Sequence, residues 1–256
     1  MMMTRPIAWV TGANRGIGRG ISAALAERGF DVVGTDLAEN DDTTATTNLV
    51  EKAGGVFHFL KGDISRANEA AELTAAAMHF GPLHCLVNNA GLQTRQRVDI
   101  LELSEAEFDR LAAVNLRGTF FLTQAVAKAM LADKPVSGRS IVTITSAAAS
   151  AANPMSAAYC MTKSGLSMMV RLFALKLAAA RIASFEVRPG LIRTPMTSPD
   201  LRPYLAAFES GRVPYRDWGQ IEQVGQAVAT LASGGIPYCT GDVINVGGGF
   251  QIEQIG

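Results

Sequence analysis

A tyrosine and a lysine four residues apart are the side chains best suited to chemistry. Tyr159 and Lys163 lie in a segment that predicts a helix, so they share one face and the ammonium can approach the phenol. A free tyrosine has a pKa near ~10, too high for a base at neutral pH, and a nearby cation favours the phenolate. Ser146 precedes Tyr159 by thirteen residues, at the end of a predicted strand. Each alone is more often structural, but together the three indicate proton transfer to a carbonyl oxygen or from an alcohol.

A glycine-rich segment follows the first predicted strand and opens a predicted helix. Residues 11–18 have the sequence TGANRGIG, with Gly12, Gly16 and Gly18 in the spacing GxxxGxG. Glycines are needed where backbone turns tightly and approaches a pyrophosphate, and a helix N-terminus supplies free N–H groups there. The spacing departs from GxGxxG and the lysine of a P-loop is missing, which disfavours ATP. The alternative is a glycine-rich turn that binds no ligand.

Two charged residues bear on which dinucleotide this turn would bind. Asp36 ends the second predicted strand, close to the ~20-residue offset at which an acidic residue meets an adenosine ribose. Its carboxylate can accept hydrogen bonds from both ribose hydroxyls and would repel a 2′-phosphate, so NAD(H) is preferred. Arg15 lies inside the glycine turn and could pair with that phosphate, which keeps NADP(H) as the alternative.

The composition excludes several other classes of protein. The 256 residues carry 23 basic and 23 acidic side chains, which argues against a nucleic-acid binder, and 48% are hydrophobic, which argues against a disordered tail. The three cysteines and three histidines show neither a CxxC nor an HExxH pattern, so we expect neither a disulfide framework nor a metal site. A reducing, cytoplasmic setting is the default expectation, with no signal peptide and no membrane span.

The order of apolar runs predicts one α/β domain over residues 1–256. Seven β-rich runs, near residues 7, 31, 56, 84, 140, 184 and 242, alternate with segments rich in alanine and leucine, which is typical of a parallel sheet. Because these runs are almost continuously apolar, helices should cover both faces, as in a doubly wound Rossmann sheet. Helices are predicted over residues 16–28, 66–79, 104–131, 159–180 and 220–232.

Three details of this prediction are less regular. Ser104 and Glu107 have the spacing of a capping box at the start of the third helix. The polar, threonine-rich segment 37–55 is the weakest helix prediction. Residues 195–218 contain four prolines between a strand and a helix, and a loop of that length is more often a lid than a connector.

With these features in view, the chain resembles the short-chain dehydrogenase/reductase family in its compact single-domain form. The resemblance covers essentially the whole chain and implies hydride transfer between a nicotinamide cofactor and a ketone or secondary alcohol. It rests on six motifs in order, which are TGxxxGIG, Asn88-Asn89-Ala90-Gly91, Asn115, Ser146, Tyr159-Cys160-Met161-Thr162-Lys163 and Pro189-Gly190.

The resemblance implies a role for each catalytic side chain. Tyr159 exchanges the proton, helped by the positive charge of oxidised nicotinamide, and Ser146 hydrogen-bonds the same substrate oxygen over the nicotinamide C4. Lys163 also holds the hydroxyls of the nicotinamide ribose. Asn115 is similar to the family's asparagine that holds a water in the proton path behind that lysine.

The resemblance also implies where the cofactor binds along the chain. Asp63 is similar to the family position that contacts the adenine, with Ile64 beside it. Ile192 would hold the carboxamide through its backbone, and Thr194 would hold it through its hydroxyl. The expected cofactor-binding set is Gly12, Asn14, Arg15, Gly16, Ile17, Gly18, Asp36, Asp63, Ile64, Asn89, Ala90, Gly91, Tyr159, Lys163, Pro189, Gly190, Ile192 and Thr194.

The substrate stays open at this level. Reductases of 3-oxoacyl groups on an acyl carrier protein and dehydrogenases of sugars, polyols or steroids share every motif quoted, and a non-catalytic NAD-sensing module is the alternative from another class. The charges of the lid balance, so strong attraction of an anionic substrate is not indicated. Its aromatic residues line an apolar pocket or pack the lid onto the body. An acidic carrier would need a basic docking patch, for which Arg181, Arg139 and Lys134 are available.

The predicted helix over residues 159–180 points to a homo-oligomer. It is apolar nearly all round, which suggests burial on more than one side. The family resemblance implies a homotetramer formed through this helix and the predicted helix 104–131. The tail, residues 250–256, could reach the pocket of a neighbouring subunit.

Overall fold

The fold is a seven-stranded parallel sheet, which confirms the doubly wound prediction. The computed structural model describes residues 5–134, 136–197 and 201–253, and within them the strand order is β3-β2-β1-β4-β5-β6-β7. The strands are β1 Ile7–Thr11, β2 Asp31–Asp36, β3 Phe57–Lys61, β4 Leu83–Asn88, β5 Ser140–Ile144, β6 Ala183–Pro189 and β7 Val243–Val246. Each neighbouring pair is parallel.

Helices cover both faces of the sheet. They are α1 Gly16–Glu27, α2 Asp41–Lys52, α3 Ala70–Met78, α4 Glu105–Leu111, α5 Thr119–Ala132, α6 Ala157–Leu177, α7 Arg202–Glu209 and α8 Ile221–Ala232. The residues of β1 show why two layers are needed, because Ala8 and Val10 face one hydrophobic cluster while Ile7 and Trp9 face the other. The first cluster contains apolar side chains of α1 and α8, and the second contains those of α3 and α5.

The predicted helix over residues 104–131 is interrupted. A π-helical segment, Ala112–Gly118, separates α4 from α5. Gly118 allows this path, since a Cβ there would lie 2.2 Å from the Ile64 carbonyl oxygen. The start is capped by Ser104, whose hydroxyl accepts from the Glu107 N–H at 3.3 Å, but the Glu107 carboxylate pairs with Arg110 instead of closing a capping box. Segments of π-helix often occur at functional sites, and this one contains Asn115.

The segment expected to be the weakest helix is regular over α2. Asn40 caps it reciprocally with Thr43, and buried Thr46 donates to the Asn14 carbonyl at 2.7 Å. Side-chain hydrogen bonds to the backbone therefore hold a helix whose apolar content is low.

The lid is also more ordered than a loop. It contains α7, and the rings of Tyr204 and Phe208 pack against Trp218 with centroids 4.9 Å and 5.3 Å away. These side chains therefore pack the lid onto itself, whereas Tyr215 is exposed. Residues 198–200 of the lid and 254–256 of the tail lie outside the described part of the chain.

The described residues include neither a helix that could span a membrane nor a side-chain cluster that could hold a metal ion. None of their helices combines the length and the apolar character needed to cross a bilayer. No three histidine, cysteine or acidic side chains within the described ranges come together in a way that could hold a metal ion.

The contact between α1 and α8 gives a stability test. A Cβ at Gly225 would lie 2.4 Å from the Gly20 carbonyl oxygen, and one at Gly20 would lie 2.6 Å from the Ile221 carbonyl oxygen. Alanine normally stabilises a helix relative to glycine by roughly 0.5–1 kcal/mol. Because backbone cannot move aside as a side chain can, we expect Gly225→Ala to lower the free energy of unfolding by about 1–3 kcal/mol in urea titrations.

The neighbouring substitution Gln226→Ala serves as the control. Gln226 is exposed on the same helix, so its stability should stay within about 0.5 kcal/mol of the wild type. If Gly225→Ala were as stable as this control, the glycine contact would not set the spacing of the two helices.

Candidate active site

The predicted site residues meet at one edge of the sheet. Gly12, Asp36, Asn89 and Ser146 follow or end β1, β2, β4 and β5, and Gly190 follows β6. The carboxyl ends of parallel strands share an edge, and the strand order reverses between β1 and β4. A crevice outside such a reversal is where open α/β sheets bind ligands.

The glycine turn has the tight geometry that the sequence predicted. Gly12 and Gly16 have φ values of +63° and +55°, in the left-handed region that favours glycine. A Cβ at Gly18 would lie 2.0 Å from the Gly12 carbonyl oxygen, so α1 begins directly against the turn. The three glycines are therefore required by the backbone path itself.

The first turn of α1 fits an anionic group. It contains no acidic residue, and Arg15 at the N-cap gives no side-chain hydrogen bond to the N–H groups of that turn. An uncapped N-terminus with its positive dipole end favours phosphate oxygens. The residues present thus fit the pyrophosphate of a dinucleotide.

Asp36 and Arg15 occupy different environments. The Asp36 carboxylate accepts from the Leu37 N–H at 2.9 Å and from the Asn14 N–H at 3.4 Å, which aims it at the glycine turn. Arg15 is exposed, and its guanidinium makes no hydrogen bond with any described residue. The carboxylate is therefore the more firmly placed of the two.

A second arginine, Arg19, holds the glycine turn, although no sequence motif singles it out. Arg19 donates to the Asn14 carbonyl at 2.8 Å and to the Asp42 carboxylate at 2.7 Å. Its position one turn into a predicted helix carried no signal that it folds back on the loop. Asn14 itself is buried and donates to the Ala38 carbonyl at 2.9 Å.

The expected adenine-binding pair is held by local contacts. The Asp63 carboxylate accepts from the Ser65 N–H at 2.9 Å and from its hydroxyl at 2.7 Å. The Ile64 side chain belongs to the hydrophobic cluster on one face of the sheet. Any contact of these two residues with adenine remains a prediction.

The segment after β4 connects the glycine turn with the candidate catalytic side chains. Asn89 donates from its amide nitrogen to the carbonyls of Thr11 and Gly12, both at 2.9 Å. The Thr11 hydroxyl accepts from the N–H of Asn89 at 3.1 Å and of Ala90 at 3.0 Å. A Cβ at Gly91 would lie 3.7 Å from the Lys163 Nζ, so this glycine borders the lysine directly.

The three candidate catalytic side chains are brought together. The Ser146 hydroxyl lies close enough to the Tyr159 phenol to lower its pKa as a hydrogen-bond partner. The Lys163 Nζ lies 5.7 Å from the centroid of the Tyr159 ring and donates to the Ile144 carbonyl at 3.0 Å. A carbonyl oxygen could therefore meet two hydroxyl groups at once, with a buried cation behind them.

The charge balance differs from the sequence-based expectation. We expected Lys163 to lower the pKa of Tyr159, whereas burial raises the pKa of the phenol and its hydrogen bond with Ser146 only partly opposes that rise. Burial also lowers the pKa of Lys163 to about 8, against the attraction of Glu186. The protein alone thus keeps Tyr159 neutral, the form that can donate a proton to a carbonyl oxygen.

Asn115 lies in the π-helical segment and is fully buried. Its amide oxygen accepts from the Leu92 N–H at 2.7 Å, and its amide nitrogen donates to the Leu92 carbonyl at 2.9 Å and to the Thr162 hydroxyl at 3.3 Å. These bonds fix the chain just beyond Gly91 against α6. The water that the family resemblance implies for Asn115 stays a prediction.

The segment after β6 closes over the glycine turn. Pro189 ends the strand, and a Cβ at Gly190 would lie 2.7 Å from the Gly247 Cα. The Ile192 carbonyl accepts from the Thr197 hydroxyl at 3.1 Å, while the Ile192 N–H has no partner among the described residues. A Cβ at Gly16 would lie 3.7 Å from the Thr194 Cβ. The placement suits residues that hold a ligand lying along the turn.

The prediction that Arg139 is available to dock an acidic carrier is wrong. Arg139 is buried, because its guanidinium donates to the Met130 carbonyl at 2.7 Å and pairs with Asp133. An arginine immediately before a strand looks solvent-exposed in sequence, and only the fold shows it turned inward. Arg181 and Lys134 are exposed.

The comparisons with known proteins point to one family. Residues 12–251 match a family model described as enoyl-(acyl carrier protein) reductase. The 3-oxoacyl-[acyl-carrier-protein] reductase FabG of Staphylococcus epidermidis is 34% identical over 96% of this chain and 98% of its own length.

Comparisons with solved structures point to the same family. A Brucella melitensis 3-oxoacyl-[acyl-carrier protein] reductase in complex with NAD is 43% identical, with a TM-score of 0.94 over 99% of this chain and all of its own. An Agrobacterium tumefaciens protein with bound NADP, provisionally named 2-deoxy-d-gluconate 3-dehydrogenase, is 32% identical, with a TM-score of 0.86 over 96% of each chain. The chain belongs to the short-chain dehydrogenase/reductase family and is an NAD(P)-dependent oxidoreductase that acts on CH–OH or C=O groups.

Proposed function

We propose that this enzyme reduces the ketone of a 3-oxoacyl thioester, with Tyr159 as proton donor. The observation that carries the proposal is the placement of the Ser146 hydroxyl beside the Tyr159 phenol, with the buried Lys163 ammonium 5.7 Å from the centroid of the tyrosine ring. When bound, the nicotinamide supplies the hydride. Ser146 orients the substrate oxygen, Tyr159 gives it a proton, and Lys163 stabilises the charge that develops there.

The choice of substrate class is supported by the relatives and by the lid. The relatives from Staphylococcus epidermidis and Brucella melitensis are named 3-oxoacyl-[acyl-carrier-protein] reductases. The lid offers exposed apolar side chains, Met196, Leu205 and Tyr215, that suit an acyl chain better than a polyol. Arg181 and Lys134 remain as candidate contacts of an acidic carrier.

A substrate panel tests this class. Acetoacetyl and longer 3-oxoacyl thioesters, the matching 2-enoyl thioesters, and gluconate-type sugars are compared by nicotinamide absorbance in both directions. We expect the highest kcat/KM for the 3-oxoacyl thioesters. Faster turnover of a 2-enoyl thioester or a sugar would overturn the proposed substrate and leave the family assignment intact.

We also propose that NAD(H) is the preferred cofactor, that the enzyme is cytoplasmic and that it assembles as a homotetramer. The cofactor preference is supported by the placement of Asp36 at the glycine turn. The assembly is supported by apolar side chains of α6 that are exposed in the single chain, Met161, Met168, Leu172 and Leu175. Light scattering of the purified enzyme tests the tetramer.

Tyr159→Phe separates proton transfer from binding. Because the ring is kept and only the hydroxyl is lost, we expect kcat to fall by about 10²–10⁴-fold while the dissociation constant of the cofactor, read by fluorescence titration, stays nearly unchanged. Tyr238→Phe removes the hydroxyl of an exposed tyrosine and should leave turnover intact. Wild-type turnover in Tyr159→Phe would remove the catalytic assignment.

Asp36→Ser tests the cofactor preference. Losing the carboxylate removes the repulsion of a 2′-phosphate, so the ratio of kcat/KM for NADH over NADPH should fall at least about tenfold. The matched control is Asp31→Asn, at the other end of the same strand, where the carboxylate pairs with Arg5. A wild-type ratio below one would show instead that Arg15 outweighs Asp36.

Lys163→Met tests the cost of the buried ammonium. Its pKa of about 8 in the folded protein lies below the ~10.4 of an exposed lysine, so the charged form costs up to about 3 kcal/mol at pH 7. We expect the variant to be inactive yet more stable to urea, with the loss of the hydrogen bond to Ile144 offsetting part of the gain. The gain should shrink as pH rises above about 8, because the wild-type lysine then sheds its proton.

The control for this prediction is on the same helix. Lys176 is exposed near the end of α6, so Lys176→Met should change stability by less than about 1 kcal/mol with little dependence on pH. A Lys163→Met variant that is less stable than wild type at every pH would show that the ammonium contributes to folding.

A further inference from the structure

Glu186 is an almost wholly buried carboxylate in the middle of β6, with 1% of its surface exposed. It accepts hydrogen bonds from the Thr145 hydroxyl at 2.6 Å, the Ser167 hydroxyl at 2.6 Å and the Arg188 Nε at 2.8 Å. A buried ion pair is often less stabilising than apolar residues of similar volume. A buried carboxylate with three hydrogen bonds to side chains near the candidate active site is therefore a candidate for a role beyond folding.

The partners of Glu186 belong to the elements that carry the catalytic side chains. Thr145 directly precedes Ser146, and it directly follows Ile144, whose carbonyl accepts from Lys163. Ser167 follows Lys163 by one helical turn on the same face of α6. One carboxylate thus connects the end of β5 with the helix that carries Tyr159 and Lys163.

Arg188 extends this connection toward the substrate side. Its guanidinium donates to the Ser167 hydroxyl at 3.1 Å and to the Ser150 hydroxyl at 3.3 Å, besides its pair with Glu186. Ser150 lies between Ser146 and Tyr159 in the sequence, so the pair also restrains the chain that joins those two residues.

The charged groups around Lys163 single out Glu186. On α6 itself the neighbour is Tyr159, and β5 contributes no titratable residue. In the π-helical segment Arg117 is exposed and lies over the Phe121 ring. In α4, Glu107 pairs with Arg110. The carboxylate of Glu186 is the acidic group whose charge acts on Lys163 in the described part of the chain.

We propose that Glu186 is a positioning residue of this active site, which keeps Lys163 charged and holds Ser146, Tyr159 and Lys163 in register. This role rests on the proposed function of Lys163. The ammonium is buried, and among the described residues it donates to the Ile144 carbonyl, so a fixed negative charge nearby favours the protonated lysine. Burial lowers the lysine pKa to about 8 even with Glu186 present, so without that charge less of the ammonium would survive at neutral pH.

The first experiment measures Lys163 itself in the cofactor-free protein. The pH titration of its side-chain carbon resonance, assigned through its absence in Lys163→Met, gives the midpoint of deprotonation. We expect Glu186→Gln to lower that midpoint by roughly one pH unit. Superimposable titrations of the wild type and Glu186→Gln would overturn the proposal whatever the substrate is.

The second experiment uses activity and distinguishes charge from general damage. A midpoint lowered by one unit from about 8 leaves nearly all lysine charged at pH 6 but reduces the charged fraction about fivefold at pH 8. Turnover of Glu186→Gln should therefore approach the wild-type value at pH 6 and fall about fivefold below it at pH 8. Glu186→Asp, which keeps the charge, should restore the wild-type profile in part.

These readouts separate two failures. A shifted titration midpoint with an unshifted activity profile would disprove the proposed role of Lys163 in turnover while supporting the link between Glu186 and Lys163. A loss of turnover that is equal at all pH values, with an unshifted titration, would show that Glu186 is merely structural.

Two further variants guard against a folding defect. If Glu186→Gln does not fold, Arg188→Gln decides, because removing the positive partner should move the Lys163 midpoint upward, and an unchanged or lowered midpoint would overturn the proposal. The matched control is Asp133→Asn, which removes the carboxylate partner of buried Arg139 at the opposite edge of the sheet. It should leave both the midpoint and the pH profile of turnover unchanged.

Discussion

The proposed chemistry depends on an ammonium group that the fold buries. Lys163 is buried, and within the described ranges its ammonium donates to the Ile144 carbonyl. Burial penalises its charge and also penalises a phenolate on Tyr159, so both groups are pushed toward their neutral forms. The two forms differ in use, since a neutral tyrosine can donate a proton while a neutral lysine cannot stabilise a negative oxygen. Under the proposed mechanism, whatever preserves the charge of Lys163 therefore governs turnover.

The two halves of the site are built from different materials. The end proposed to bind phosphate is formed by backbone, through positive φ angles at Gly12 and Gly16 and an uncapped helix N-terminus. The end proposed to carry out the chemistry is formed by side chains, the Ser146 hydroxyl just beyond β5 and the Tyr159 hydroxyl and Lys163 ammonium of α6. Asn89 and Gly91 join the halves, because the one bonds the glycine turn and the other borders Lys163. The backbone end tolerates few substitutions, whereas the side-chain end can be tuned by charges behind it.

Much of this could be predicted from the sequence, because the responsible patterns are local. Apolar runs separated by helical segments predicted the seven parallel strands. The four-residue spacing of Tyr159 and Lys163 predicted that they share a helix face. The interruption of the helix at residues 112–118 could not be predicted, because it involves close packing of Gly118 against the carbonyl of Ile64, which is distant in sequence. The inward turn of Arg139 has the same kind of cause, a distant set of acceptors at Met130 and Asp133. A residue whose role depends on partners distant in sequence cannot be identified from the residues next to it.

The sign of the pKa of Tyr159 shows what spacing alone leaves out. Proximity of a cation argues for a more acidic phenol, but the geometry sets the ammonium 5.7 Å from the ring centroid and both groups in a medium that solvates charge poorly. In such a medium desolvation outweighs a single attraction, so the outcome is decided by how many charges and dipoles face the pair. Glu186 is one such charge, two residues from a second one of opposite sign, and nothing in its sequence context separates it from an ordinary strand residue. A candidate catalytic pair can thus be predicted from the four-residue spacing of Tyr159 and Lys163, while the environment that sets their protonation is assembled only when the sheet and helices close around them.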